Sequence, residues 1–565
     1  MSTQSAIIST LKLTASIMEL HEENAFKIRA YQNAAISIDK TPYDIPSLSD
    51  SELAAIPGVG NSMALKVREI CTTGTLSELE SLLKTTPAGL IELFSISGLG
   101  PKKIRTLWKD LHIESPAQLL EACNNNSIAS QKGFGEKTQD SIRKSLLFQL
   151  EQGGKLLISE AQVRGAQLLQ VLQKALPNQT ISWCGELYQQ AETVESLDFM
   201  VRTDNPVSDL SILEQHLKAD WNLQESTPFT LRGKDANTGT SLVIRSSPAA
   251  TFESKRLIFS ADIQHLQHAV TDTSSFLDVC QQHATTSEEA LYTFANTTFI
   301  PAECRVGHVE WALAKEDKIK ALITFKDLKG IFHNHSTYSD GVHSVQEMAE
   351  ACIAQGWEYF GIADHSQTAF YANGLKEDRV YQQFEEIDAI NKKLAPFTVF
   401  KGIESDILND GALDYEDSLL KQFDYIVASI HSNLKMDEEK AMMRLIKAIE
   451  NPYTTMLGHM TGRLLLRREG YPLDTHKVID ACADNNVIIE LNANPYRLDI
   501  DWRHIDYALN KGVLISINPD AHEQDGILDT HFGVLAGRKG GLLKSTTFNT
   551  FSLEDIKKHF SNKKK

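Results

Sequence analysis

Lys329-Gly-Ile-Phe-His333-Asn-His335-Ser-Thr-Tyr-Ser-Asp340-Gly decides the reading of the C-terminal half of the chain. A short apolar run is followed at once by two histidines one residue apart and then by an aspartate. Side chains of an extended strand alternate between faces, so His333 and His335 are expected on one face, where both can reach the same ion. Outward from this stretch the pattern repeats. Apolar runs follow at Tyr359-Phe-Gly-Ile-Ala, Phe397-Thr-Val-Phe, Tyr425-Ile-Val-Ala-Ser-Ile, Thr455-Met-Leu, Val487-Ile-Ile-Glu-Leu and Val513-Leu-Ile-Ser-Ile, with helical periodicity between them. Continuous apolar strands alternating with amphipathic helices imply parallel strands covered on both faces, and seven of them suit a barrel related to the (β/α)8 form.

In such barrels the chemistry sits at the C-terminal ends of strands. There the runs deliver His333 and His335, then Asp340, His365, Glu404, His431, His459, and finally Asp520 with His522. Eleven of the 18 histidines lie beyond residue 325. Nine donors exceed the capacity of one tetrahedral ion, so two to three divalent transition metal ions are expected. Mixed imidazole and carboxylate donors suit manganese, zinc or iron rather than calcium or magnesium. Adjacent ions clamp a phosphate and activate water, which makes phosphoester hydrolysis the natural chemistry, with Glu404, Asp520 and His335 as its catalytic residues. A single histidine of this kind is as readily a hydrogen-bonded core residue; the whole set at successive strand ends is not. Arg463, Arg467 and Arg468, after the fifth run, are offered either as phosphate grips or as a solvated helix face.

Residues 325–565 thereby resemble the polymerase and histidinol phosphatase (PHP) family of metal-dependent phosphoesterases. The resemblance implies a distorted (β/α)7 barrel holding up to three ions, manganese or zinc, with all nine ligand positions filled and Glu404 bridging two ions.

The first third reads as short helices joined by glycine turns. Ile56-Pro-Gly58-Val-Gly60-Asn-Ser-Met-Ala-Leu-Lys66 has the form of a helix-hairpin-helix, whose turn presents backbone N–H groups to one phosphate without reading sequence. Ile96-Ser-Gly98-Leu-Gly100-Pro-Lys102-Lys103 repeats it, and Gly133-Phe-Gly135-Glu-Lys137 is a weaker third copy. A lone GxG is as often a helix C-cap; the repetition points to DNA. With Asn24-Ala-Phe-Lys27-Ile-Arg29-Ala-Tyr31, these motifs resemble the N-terminal domains of bacterial family X DNA polymerases, relatives of DNA polymerase beta that end in a PHP domain. The resemblance spans essentially the whole chain. Lys66 aligns with the lyase lysine of polymerase beta, against the plainer reading of a phosphate-contacting or solvated helix lysine.

It implies five domains: 1–90 and 91–152, each helical with a helix-hairpin-helix; an α+β nucleotidyltransferase-like palm at 153–250; a thumb-like region and linker at 251–324, where a helix is expected over Ala261–Val270; and the barrel at 325–565. The palm departs from its family. Where an Asp-x-Asp strand is required, Gly185-Glu-Leu-Tyr-Gln-Gln-Ala-Glu192-Thr-Val-Glu195-Ser196-Leu-Asp198 keeps only Asp198. Ser196 stands at the first carboxylate position, Val243 at the third, and Asp262 intrudes on the nucleotide-grasping turn. Two magnesium ions need carboxylates, so a silent palm is expected.

Composition sets the outer bounds. The chain has 565 residues, 42% hydrophobic and 23% charged, as for folded globular proteins. Its formal charge of −18 opposes blanket phosphate binding, yet residues 1–150 carry 15 Lys+Arg against 16 Asp+Glu and the remainder 41 against 58. Seven scattered cysteines without a CxxC read as buried thiols. No apolar run spans a bilayer, so no membrane partner is expected, and a cytoplasmic monomer is. The expected function is 3′-5′ exonuclease or phosphoesterase action on gapped, nicked or damaged DNA ends. Left open are an active gap-filling polymerase, a histidinol-phosphatase-like enzyme and a non-catalytic DNA scaffold.

Overall fold

A computed structural model describes residues 4–563 except 42, 44, 95, 97, 130, 132, 225, 226 and 237; Ser97 of the second glycine motif thus lies outside the described residues. The chain divides into two compact units, Met1–Gly153 and Gly154–Lys565. No helix among the described residues is long and apolar enough to cross a membrane.

The first unit is helical. Its leading part packs Gln4–Leu20, Ala25–Asp39, Asp50–Ala55, Gly60–Thr73 and Ser77–Lys84 around Ile7, Leu11, Tyr31, Val67 and Ile70. A second apolar cluster, with Leu90, Ile104, Leu107, Leu119 and Ile142, gathers Ala88–Leu93, Pro101–Leu111, Pro116–Asn124 and Glu136–Gln152. The glycine turns fall between consecutive helices, as expected. Gly58 and Gly98 have φ of +87° and +88°, a left-handed conformation that glycine adopts without steric cost.

The second unit begins with a short antiparallel ladder, β1 (Leu156–Leu157) with β3 (Thr193–Val194). A five-stranded mixed sheet follows, from β2 (Thr180–Cys184), β4 (Ser196–Arg202), β5 (Trp221–Leu223), β6 (Thr230–Asp235) and β7 (Ser241–Ser247), in the order β2-β4-β7-β6-β5. Beyond it the expected helix Ala261–Val270 is absent. Ala261 instead caps a helix Phe252–Ser260, and Asp262 starts a single turn, Ile263–Leu266, by accepting from the Gln264 N–H at 2.8 Å. An N-cap aspartate where helix was expected is the physical reason for the break.

The remainder forms a nearly closed barrel of seven parallel strands in chain order: β8 (Gly330–Ile331), β9 (Tyr359–Ile362), β10 (Thr398–Asp406), β11 (Tyr425–Ser429), β12 (Met456–Leu457), β13 (Ile488–Asn492) and β14 (Ile515–Asn518). Between β8 and β14 the seam is sewn by one side chain. Buried Asn549 donates from Nδ2 to the Gly330 and Ile517 carbonyls (3.1 and 2.9 Å) and accepts at Oδ1 from the Ile517 N–H (2.6 Å). Below the mouth the interior is apolar: Phe332, Phe400, Tyr425 and Met456 stack with Phe548 and with Phe560 of the last helix, Leu553–Lys563. This floor leaves the opposite end for polar side chains.

The connection between β2 and β4 is anchored to the barrel through Glu192. Its carboxylate accepts from the Trp502 indole N–H and lies 3.1 Å from the Lys539 ammonium, itself buried and donating to the Gln190 carbonyl at 2.6 Å.

Candidate metal centre

All nine expected donors meet at the barrel mouth, in four overlapping groups: His335, Asp340, His365 and His522; His333, Glu404 and His459; His333, His335 and Asp520; and His365, Glu404 and His431. Glu404 is central. Its oxygens lie 3.1, 2.9, 3.1 and 3.0 Å from nitrogens of His333, His365, His431 and His459. Asp520 Oδ1 lies 3.0 Å from His335 Nε2 and 3.7 Å from His333 Nε2. The geometry behind the His-x-His pair differs from simple strand alternation. Strand β8 ends at Ile331, and His333 has a left-handed φ of +55°, matched by +54° at Asp520. Convergence is achieved by a backbone turn at each ligand, with the segments rejoined where Asn334 pairs with Ala521. Non-glycine residues adopt such angles when the surroundings enforce them.

Does this mouth suit cations? Several buried atoms of these side chains have no hydrogen-bond partner, among them His333 Nε2, His365 Nδ1 and Glu404 Oε2, which face one another, and His335 Nδ1. Buried polar atoms rarely stay unsatisfied, and unshared lone pairs aimed at one another are what a bound divalent ion would use. Electrostatics agree. Burial pushes Glu404 up, but His431, His333 and His365 outweigh it and hold the carboxylate well below the usual range. Burial, then His522 and His365, lowers His335 to about 4, so its lone pair is available. Burial would lower His431 as well, yet Glu404 and Asp406 carry it to about 10. Protons on such imidazoles are what metal ions displace.

Behind the ligands stand residues that sequence reasoning missed. Glu490 Oε2 lies 2.5 Å from His333 Nδ1, and Asp406 Oδ1 lies 2.5 Å from His431 Nδ1, fixing each ring's orientation. Asn492 donates to Asp520 at 3.1 Å, and Asp364 accepts from Ser336, Ser339 and Gln383 under the His333–Asp340 loop. A carboxylate inside the apolar run Val487-Ile-Ile-Glu-Leu was the available signal for Glu490. Of the arginines offered as phosphate grips, Arg463 is committed elsewhere, to Asp501 at 2.6 Å and to the Arg497 and Leu498 carbonyls. Arg468 donates to the Gly462 carbonyl at 2.7 Å. Arg467 stacks on Tyr496, 4.1 Å from its ring centre. The guanidinium at the mouth is instead Arg497, 3.5 Å from Asp520 Oδ2.

The other expected site residues belong to other elements of the chain. In the five-stranded sheet Asp198 pairs in register with Val243. Its carboxylate is taken up by Arg245 at 2.6 Å and by the Ser196 hydroxyl, while Glu195 turns to Lys155 at 3.2 Å. In the helical unit, open space lies beside Gly60, Gly98, Gly100, Gly133 and Gly135. Lys102 and Lys137 are exposed, but Lys103 folds back onto the Gly98 carbonyl at 3.1 Å. Lys66 is half-buried and paired, with Lys27 and Tyr31, to Glu78, whose carboxyl falls to about 2 because these partners overcome its burial.

In chain order, helices joined by glycine hairpins precede a parallel barrel with an imidazole and carboxylate mouth, and both halves match known families. The family described as PHP domain matches residues 332–494, the one described as Helix-hairpin-helix domain residues 2–76, and the SAM-like Helix-hairpin-helix tandem residues 90–146. The DNA polymerase/3'-5' exonuclease PolX of Bacillus subtilis (strain 168) is 34% identical across 97% of this chain and 98% of its own length. The chain belongs to that family, the bacterial family X DNA polymerases with a C-terminal PHP domain. A probable phosphatase of Acetivibrio thermocellus is 29% identical over 29% of this chain and 65% of its own, and one of Thermoanaerobacter sp. (strain X514) 24% over 41% and 94%.

Proposed function

We propose that the barrel is a metal-dependent 3′-5′ exonuclease or phosphoesterase acting on DNA ends, and that the five-stranded sheet no longer transfers nucleotides. The carrying observation is the meeting of nine donors, several with orphaned buried lone pairs, at one mouth. His333, His335, Asp340, His365, Glu404, His431, His459, Asp520 and His522 are the proposed ligands of two or three ions, manganese or zinc by donor type. Bound there, such ions supply Lewis-acid polarisation of a phosphate and lower the pKa of water. The protein's own part is to hold Glu404 among four imidazoles, to keep His335 unprotonated, and to set Arg497 where it can meet a phosphate oxygen. Hydrolysis is proposed to depend on Glu404, Asp520 and His335. The helix-hairpin-helix turns, with Gly58, Gly60, Gly98, Gly100, Lys102, Gly133, Gly135 and Lys137, are proposed to hold the DNA backbone. Separate apolar clusters support divisions near residues 90, 152, 250 and 324.

The test is end-labelled single-stranded and gapped DNA with the full chain in manganese, zinc or magnesium. Shortening from the 3′ end is expected, lost in His335→Ala and Glu404→Ala; faster turnover of histidinol phosphate than of DNA would move the assignment to a small-molecule phosphatase. A second reading, templated synthesis, draws on the name of the Bacillus relative. Against it stand Ser196, Val243 and the Arg245–Asp198 pair, which leave one neutralised carboxylate where two cations need several. Primer extension abolished by Asp198→Ala would establish it.

A further inference from the structure

Immediately after the ligand His365, residues 366–375 project two neighbouring aromatic side chains into solvent: Phe370 is 83% exposed and Tyr371 71%. Large rings are ordinarily buried, so an adjacent exposed pair calls for a cause. Slack in the loop is not that cause. Ala369 N–H donates to the Ser366 carbonyl at 3.1 Å, Gly374 N–H to Ala369 at 3.0 Å, and Leu375 N–H to the His365 carbonyl at 2.8 Å. Thr368 Oγ1 is held by Asp406 and Asp414, and Asn373 donates to the Tyr338 and Ser339 carbonyls. A Cβ at Gly374 would sit 2.0 Å from the Ser366 carbonyl oxygen, so the loop closes tightly on itself. The rings are held out by a braced frame.

Their position relative to the metal centre is specific. The Tyr371 and His365 ring centres are 6.0 Å apart, edge to face. His365 in turn lies 3.7 Å from Asp340 through Nε2, and its ring centre is 6.3 Å from that of His522. This is also the side on which the ligands meet solvent: side chains of Asp340 and His522 are 33% and 39% exposed, whereas His333, His335 and Glu404 are buried. A phosphate entering there would bring its attached nucleoside past the Tyr371 ring, with Phe370 next to it along the chain. Arg497 supplies positive charge next to Asp520, and Arg467 stacks on Tyr496 after the fifth strand. Aromatic faces beside a cationic path are the means by which proteins hold unpaired nucleobases irrespective of their identity.

Building on the proposed DNA hydrolase, we infer that Phe370 and Tyr371 form a stacking platform for the unpaired base of the 3′-terminal nucleotide. The site then takes single-stranded ends and accepts every base. The experiment is a cycle crossing Phe370→Ala/Tyr371→Ala with removal of the base. The full chain is assayed with manganese on oligonucleotides ending in a normal or a base-free tetrahydrofuran nucleotide. Wild type should show a KM about tenfold lower for the normal end, the variant should erase that difference, and kcat on the base-free end should be unchanged. Phe370→Trp with Tyr371→Phe should restore it. A preference that persists in the variant, or an equal loss on the base-free end, overturns the platform and leaves the rings to a protein partner or a structural role. In a second arm, a 3′-terminal 2-aminopurine is mixed with each protein and its fluorescence read before turnover. Quenching by wild type and not by the variant supports stacking; equal fluorescence overturns it. If wild type cleaves neither substrate, the hydrolase reading falls, and this second arm still decides the platform.

Discussion

Glu490 and Asp406 stand one layer behind the proposed metal ligands, each 2.5 Å from the inner nitrogen of an imidazole whose outer nitrogen faces Glu404. Glu490→Gln keeps size and hydrogen bonding but removes the charge that orients His333. It should weaken manganese binding about 10- to 100-fold in calorimetric titration while leaving the circular dichroism unchanged. Far along the chain, Glu78 carries a different load. With its folded pKa near 2, below the ordinary 4.5, its contribution to stability is fully present above the unfolded value and is lost as pH falls through the folded one. Glu78→Gln should therefore cost about 1–3 kcal/mol at pH 7 and flatten the acid side of a stability profile between pH 5 and 2, measured by urea unfolding.

Among elements, the barrel strands were legible because each is a largely apolar run and six of the seven are followed by a histidine or acid. Illegible were features that depend on distant neighbours: the left-handed turns at His333 and Asp520, the selection of Arg497 over Arg463, and the pairing of Lys66 with Glu78. The short helices of residues 251–324 escaped because one-turn elements such as Ile263–Leu266 carry too few residues for periodicity to show. Asn549 is likewise unremarkable in sequence, yet it substitutes for a ladder between β8 and β14. Asn549→Ala would leave the Gly330 and Ile517 groups unpaired inside the protein, and a loss of about 2–4 kcal/mol in urea unfolding is expected.

For the molecule as a whole, the proposed metal centre would couple chemistry to stability. Without ions, Glu404, Asp520 and their neighbours remain as buried carboxylates balanced by protonated imidazoles and Arg497, and ions that bind the folded state alone must stabilise it. Chelation should lower the thermal midpoint, and manganese at about one hundred times its dissociation constant should return roughly 2.7 kcal/mol. Removing the residues around Glu192 would leave the buried Lys539 ammonium and the Trp502 indole without their carboxylate partner, so the barrel is less stable cut from what precedes it than in the full chain.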